Sequence, residues 1–303
     1  MGVAERHQTS PSDATATQPF GARLRAAMDE HGPLCVGIDP HPRLVESWGL
    51  PYSYAGVERF ALTCVEALGG AVAAVKPQSA FFEVFGSRGV ALLERVVDGL
   101  RDAGTLSVLD VKRGEIGTTM DAYAEAFLGT DAPSPADAIT VSPYLGYGAL
   151  RPAVDLAQAT GRGVFVLALT SNPEGAALQH AVGADGRSVA ATVVDGAAAD
   201  NAGARERGEL GSVGLVVGAT IGSAVQDLGI DLAAAAAPLL APGLGAQGGS
   251  AESVRRVFAG ALPQVLASSS REVLGAGPGV AELRDAARRT ADGLREIVAG
   301  GGA

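Results

Sequence analysis

The most chemically loaded stretch of the chain is Leu109-Asp110-Val111-Lys112-Arg113-Gly114-Glu115-Ile116-Gly117-Thr118. It follows an apolar run over residues 105–109 that reads as a buried strand. Two acids and two bases then fall within the six residues 110–115. Unpaired charge is expensive to bury, so a core strand carries it only where a partner or a ligand compensates. On an extended chain Asp110 and Lys112 stand two apart and point to the same side. The spacing therefore predicts a carboxylate and an ammonium held together at the carboxyl end of a strand. Such a pair can orient a proton donor and meet charge that develops in a reaction.

Elements able to position this pair recur along the chain. Apolar runs at 34–38, 71–75, 106–109, 138–141, 164–169, 213–217, 239–241 and 265–267 each end in polar, Gly or Pro residues. Between them lie segments of helical periodicity, among them 57–68, 89–100, 191–199, 253–258 and 280–298. A further amphipathic segment at 20–30 precedes the first run and is placed to close the bottom of a barrel. Eight strand–helix alternations in one chain predict a single-domain α/β (β/α)8 TIM barrel over residues 19–303. The rival is an open doubly wound sheet. The barrel is favoured because nearly every strand presents a polar residue at its end, as eight carboxyl ends around one site would. Residues 200–214 read as a loop within the domain, and residues 1–18, polar and rich in Pro, Ser and Thr, as a disordered tail.

Past the seventh run, Pro242-Gly243-Leu244-Gly245-Ala246-Gln247-Gly248-Gly249-Ser250 leads into a helical pattern. Glycines let backbone N–H groups approach an anion, and a helix N-terminus adds positive potential. Arg271, just past the eighth run, offers a planar guanidinium suited to phosphate. Residues 243–248 also satisfy the G-x-G-x-x-G dinucleotide pattern. The ribose-binding acid expected about twenty residues later is missing, which makes a nicotinamide enzyme the weaker reading.

A formal net charge of -10 argues against general nucleic-acid binding. Cys35 and Cys64 lie in apolar surroundings and read as buried thiols of a reducing compartment. The sequence shows no signal peptide and no membrane span, so a cytoplasmic protein is expected. His7, His31, His41 and His180 are scattered without ligand spacing, and neither a metal nor an organic cofactor is expected. Phe81, Phe82 and Phe85 are expected to pack the loop after the second strand, and Arg113 to lie at the surface or an interface. Segments 171–186 and 243–250 are candidate lids.

From about residue 20 to 287 the chain resembles the orotidine 5'-phosphate decarboxylases, in their longer type 2 bacterial form. The resemblance rests on six motifs in family order: Gly37-Ile38-Asp39-Pro40, Val75-Lys76-Pro77-Gln78, Asp110-Val111-Lys112-Arg113-Gly114-Glu115-Ile116, Thr140-Val141-Ser142-Pro143-Tyr144-Leu145-Gly146, Pro242-Gly243-Leu244-Gly245-Ala246-Gln247-Gly248-Gly249 and Ser269-Ser270-Arg271. It implies cofactor-free conversion of orotidine 5'-monophosphate to uridine 5'-monophosphate and carbon dioxide, with Lys112 as proton donor. It places Asp110 against the substrate carboxylate, Lys76 as anchor of the charge array, Asp39 on a ribose hydroxyl and Ser142 on the pyrimidine edge. Gln247, Gly248 and Arg271 fall where the family holds phosphate. Glu115 and Thr119 match residues that reach a partner's site, which implies a homodimer with shared sites. The family pattern is Asp-x-Lys-x-x-Asp, and Glu115 stands where its last Asp would. The extra methylene implies retuned activity. Two other readings stand beside this one: a metal-dependent sugar-phosphate decarboxylase or isomerase of the same barrel superfamily, and a nucleotide-binding homologue impaired by Glu115. The Lys76-Pro77-Gln78 and Ser142-Pro143-Tyr144 motifs speak against the first.

Overall fold

The computed structural model describes residues 18–243 and 250–299 of the 303-residue chain. All but the last residue of the expected tail, and the expected phosphate ligands Gln247 and Gly248, lie outside the described residues. Eight parallel strands close on themselves in chain order. They are β1 (Leu34–Ile38), β2 (Ala74–Pro77), β3 (Leu106–Arg113), β4 (Ala138–Val141), β5 (Gly163–Leu169), β6 (Val213–Val217), β7 (Leu239–Pro242) and β8 (Val265–Ser269). Pairing of Leu34 with Ala267 and of Val36 with Ser269 joins β1 to β8 and rules out the open sheet. The longer helices are α1 (Phe20–His31), α2 (Tyr54–Leu68), α3 (Ser87–Asp102), α4 (Gly117–Leu128), α5 (Arg151–Ala159), α6 (Val189–Asp200), α7 (Ala251–Phe258) and α8 (Val280–Ala299). Between β6 and β7 the described helix is the short turn Ala224–Asp227.

Strand periodicity sorts the side chains into two layers. Cys35, Ala74, Val108, Ala138, Phe165, Val216, Leu240 and Leu266 fill the barrel and join Phe20, Leu24 and Met28 of α1 in one buried cluster. The alternate residues, such as Val36, Val75, Ile139, Val164 and Leu215, belong to the layer beneath the helices. α1 therefore plugs the lower end, as its position in the sequence predicts. Phe20 and Phe165 meet edge to face with ring centres 5.9 Å apart. Both rings need neighbours without side chains. A Cβ on Gly163 would lie 2.3 Å from the Phe20 ring, and one on Gly214 2.5 Å from the Phe165 ring. Each apolar helix stripe finds its partner layer; on α3, Leu92, Leu93, Val96, Val97 and Leu100 are all buried.

The strands begin within three residues of the apolar runs that predict them, but several run further at their carboxyl ends. β3 continues to Arg113, β8 to Ser269, and β2 spans Ala74–Pro77 rather than 71–75. Hydrophobicity marks where the barrel is dry, whereas backbone pairing continues into the polar rim. The 200–214 segment is also more ordered than a loop. It holds a short helix, Ala202–Glu206, pinned by buried Asn201, whose amide donates to the Val213 and Ala235 carbonyls.

Candidate active site

β3 is the longest of the strands and carries its charged residues past the dry interior. Its pairing with β4 slips between Leu109 and Arg113, and Lys112 takes the left-handed value φ 44°. That conformation costs a non-glycine residue roughly 1–2 kcal/mol, a cost met at functional sites where the surroundings hold it. Asp110 and Lys112 do meet, but through this bulge rather than through a plain pleat.

Asp110 is the hub. Its Oδ1 accepts from Lys112 Nζ at 2.5 Å and from the Thr140 hydroxyl at 2.8 Å. Its Oδ2 accepts from Lys76 Nζ at 2.7 Å and from the Gln78 amide at 3.0 Å. Thr140 Oγ1 in turn accepts the Lys112 backbone N–H at 2.9 Å, so one hydroxyl fixes both members of the central pair. The two lysines differ in access. The Lys76 side chain is 10% exposed and that of Lys112 46%, so Lys76 is a walled-in anchor and Lys112 the ammonium free to reach a ligand.

Burial alone would raise the Asp110 pKa, but the two ammoniums and their hydrogen bonds hold it well below the usual carboxylate range. Burial alone would lower the Lys76 pKa; the Asp110 and Asp39 carboxylates outweigh it and hold that ammonium above its ordinary value. The buried Lys76–Asp110 pair is therefore ionised at neutral pH. Nearby Cys35 is sealed in the barrel, and burial pushes its thiol up to about 12, so it is core, as its setting predicts.

These groups line one cavity of about 390 Å³ at the carboxyl ends of the strands. Asp39, Lys76, Asp110, Lys112 and Arg271 all face it, together with Thr140, Thr170 and the Ser268–Ser270 run. Asp39 Oδ1 is buried and has no hydrogen-bond partner among the described residues. An unpaired buried acceptor is costly and points to a donor supplied by a ligand, such as a sugar hydroxyl. Gly37 permits this crowding, since a Cβ there would lie 2.1 Å from Ser270 Oγ.

Three sequence-predicted residues stand apart from this wall. Ser142, just past the end of β4, lines an adjoining cavity of about 400 Å³ with Tyr147 and Gln179; Leu167 borders both spaces. Glu115 accepts the Ile116 N–H at 2.9 Å, and Thr119 is exposed in the first turn of α4. Neither lines the cavity of its own chain. Sequence reasoning assigned no role to Gln78 or Thr140, although both lie inside the quoted motifs. The signal was there: Thr140 is a buried polar residue two before Ser142 on an otherwise apolar strand. Phe81, expected in loop packing, does pack against the core and also lines the cavity, edge-on to His41 at 4.3 Å; Phe82 is the member that is fully buried.

A closed eight-stranded barrel with ionised acid and bases around a cavity at its carboxyl rim defines a barrel enzyme for a small polar substrate. The chain belongs to the orotidine 5'-phosphate decarboxylase / HUMPS family, whose model matches residues 32–286. It is 61% identical to the orotidine 5'-phosphate decarboxylase of Salinispora tropica over 283 residues, covering 93% of this chain and 99% of the relative. The Streptomyces coelicolor enzyme of that name is 60% identical over 282 residues, again 93% and 99% of the two chains. A Streptomyces avermitilis crystal structure described as an orotidine 5'-phosphate decarboxylase superposes with a TM-score of 0.90 at 57% identity, covering 96% of this chain and 100% of that one. A Methanocaldococcus jannaschii structure at 16% identity and TM-score 0.59, covering 87% and 99%, shares the fold.

Proposed function

We propose that this chain decarboxylates orotidine 5'-monophosphate to uridine 5'-monophosphate and carbon dioxide. The observation that carries the reading is the Asp110 carboxylate held between the Lys76 and Lys112 ammoniums in a rim cavity that also contains Arg271. Close relatives carrying this name cover nearly all of the chain, and they support it over the sugar-phosphate and impaired-homologue alternatives.

Loss of carbon dioxide from an orotate ring leaves an electron pair on a vinylic carbon, with no adjacent carbonyl to accept it. Stabilisation must then come from fixed charge. An ammonium about 4 Å from a developing unit charge gains about 4 kcal/mol at an effective dielectric near 20, close to three powers of ten in rate. Lys112 is the more accessible ammonium, and in this reading it donates its Nζ proton to that carbon. Asp110 aims Lys112, Thr140 fixes both, and Lys76 anchors the far carboxylate oxygen. Asp39 is assigned a ribose hydroxyl, which would donate to its buried Oδ1. Arg271, with Gln247 and Gly248, is assigned the phosphate, whose binding energy orients a reacting carbon remote from it. Ser142 is assigned the pyrimidine edge from the adjoining cavity.

We read the protein as a cytoplasmic homodimer in which Glu115 and Thr119 serve the partner's cavity. The placement of both residues away from their own cavity supports this; so do two buried free thiols and the lack, among the described residues, of a helix able to cross a membrane. Mixing the protein with orotidine 5'-monophosphate in EDTA and following loss of orotate absorbance tests the activity. Turnover abolished by Lys112→Ala is the expected result. No turnover at high enzyme concentration overturns the reading, and activity that appears only when magnesium is restored moves it to the metal-dependent relatives.

A further inference from the structure

The bulge that delivers Lys112 is held from behind by groups that do not face the cavity. The Arg113 guanidinium donates from Nη1 to the Val111 carbonyl at 3.2 Å and from Nη2 to Glu83 Oε1 at 3.0 Å. Glu83 Oε1 also accepts the Ser79 hydroxyl at 2.5 Å. The Ser79 N–H donates to the Asp110 carbonyl at 3.2 Å, closing the circuit onto β3. On the other side the Arg113 carbonyl accepts the Ser142 N–H at 2.8 Å, and the guanidinium lies over the Tyr123 ring of α4 at 5.6 Å. Backbone groups on both sides of the left-handed residue are thereby tied to the segment after β2, to the end of β4 and to the Arg113 fork.

We propose that Arg113 and Glu83 are positioning residues that hold the strained Lys112 turn, so that the ammonium stays on Asp110 and faces the cavity. Neither lines that cavity. The Val111 carbonyl belongs to the peptide that carries the Lys112 N–H, and turning this peptide is the motion by which Lys112 would relax out of its positive φ. A bond from the next residue's side chain to that carbonyl opposes the rotation, and Glu83 fixes the guanidinium that makes it. The Glu83 carboxyl supports this geometry: its pKa is lowered chiefly by the Ser79 hydroxyl, and also by Arg113. An arginine suits the role because its planar fork serves two acceptors at once, which a lysine cannot match. Arg113 is thus neither a simple surface residue nor merely an interface residue.

The inference rests on Lys112 as proton donor, and kinetics separate the two claims. In the full-length protein, Arg113→Met keeps the stem and removes the fork, and Glu83→Gln keeps the shape and removes the charge. Misplacing a reacting group by about 1 Å can cost a hundredfold, so kcat in Arg113→Met should fall about ten- to a hundredfold. The KM for orotidine 5'-monophosphate, the dissociation constant of uridine 5'-monophosphate and the melting temperature should stay near the parent values. Arg113→Lys should recover part of kcat, and adding Glu83→Gln to Arg113→Met should cost little more, since both cut one circuit. An unchanged kcat in Arg113→Met, or a kcat that falls only in step with nucleotide affinity and melting temperature, overturns the proposal. Full activity in Lys112→Ala would instead remove the proton-donor reading on which it stands.

Discussion

Replacing Asp110 by Asn tests the charge array where it is tightest. At the Lys76–Asp110 separation of 2.7 Å, an effective dielectric of about 20 gives a gross attraction of about 6 kcal/mol. Burying both ions offsets much of this. The relevant figure is therefore the cost of leaving one partner behind, about 3–5 kcal/mol. Lys112 is nearly half exposed, so its own pair adds no more than about 1 kcal/mol. The Asp110→Asn variant should thus lose about 3–5 kcal/mol in urea unfolding at pH 7, and its decarboxylation should fall at least a hundredfold because Lys112 is no longer held. The pH dependence has a definite sign. In the parent, the lowered Asp110 pKa contributes stability above its unfolded value of about 3.9, lost as pH falls below that toward the folded value. The raised Lys76 pKa contributes below about 10.4, lost as pH rises through the folded value. Between those limits the pair leaves parent stability flat. In the variant, burial outweighs the remaining attraction and lowers the Lys76 pKa below its unfolded value. The unfolded state then binds more protons, and stability climbs with pH through the weakly alkaline range. An Asp110→Asn protein as stable as the parent at pH 7, or one whose stability ignores pH from 7 to 10, would refute this account of the array.

What could be read from the sequence follows a physical line. Apolar periodicity reports burial, so the eight strands, the barrel and α1's role as a plug were all visible in runs such as 34–38 and 213–217. It does not report backbone pairing beyond the dry zone, which is why β3 and β8 run further than their apolar runs. The Asp110–Lys112 contact was legible from residue type and spacing, whereas the bulge that creates it is a register slip against β4, and no single strand's sequence encodes a partner's register. Thr140 stands out as a polar residue on an apolar strand, but its role, like that of Gln78, cannot be assigned until its partner is known to be a buried carboxylate. That Phe81 also borders the cavity is not legible, because Phe81 and Phe82 are adjacent and equally apolar; helix phase alone decides which ring reaches it. Arg113 reads as a surface cation until the folded chain brings Glu83 beneath it.

Three further tests address the remaining groups. Thr140→Val removes a buried hydroxyl that serves both Asp110 and the Lys112 N–H; unfolding should show a loss of about 1–3 kcal/mol and Thr140→Ser should restore most of it, so a neutral Thr140→Val would mean the hydroxyl fixes nothing. Asp39→Ala takes away a buried oxygen that has no partner among the described residues; stability should hold or rise while KM for the nucleotide increases about ten- to a hundredfold, the worth of one charged hydrogen bond, and an unchanged KM would free Asp39 from the ribose. The last concerns Glu115, which lies off its own cavity wall. If two chains share their sites, Lys112→Ala and Glu115→Ala homodimers are each impaired at both sites, but a mixed dimer assembles one site with both groups intact. Co-refolding equal amounts should then restore up to about a quarter of the parent rate, since half the dimers are mixed and each has one of two sites complete. A mixture no more active than its components would assign Glu115 to its own chain or to no site at all.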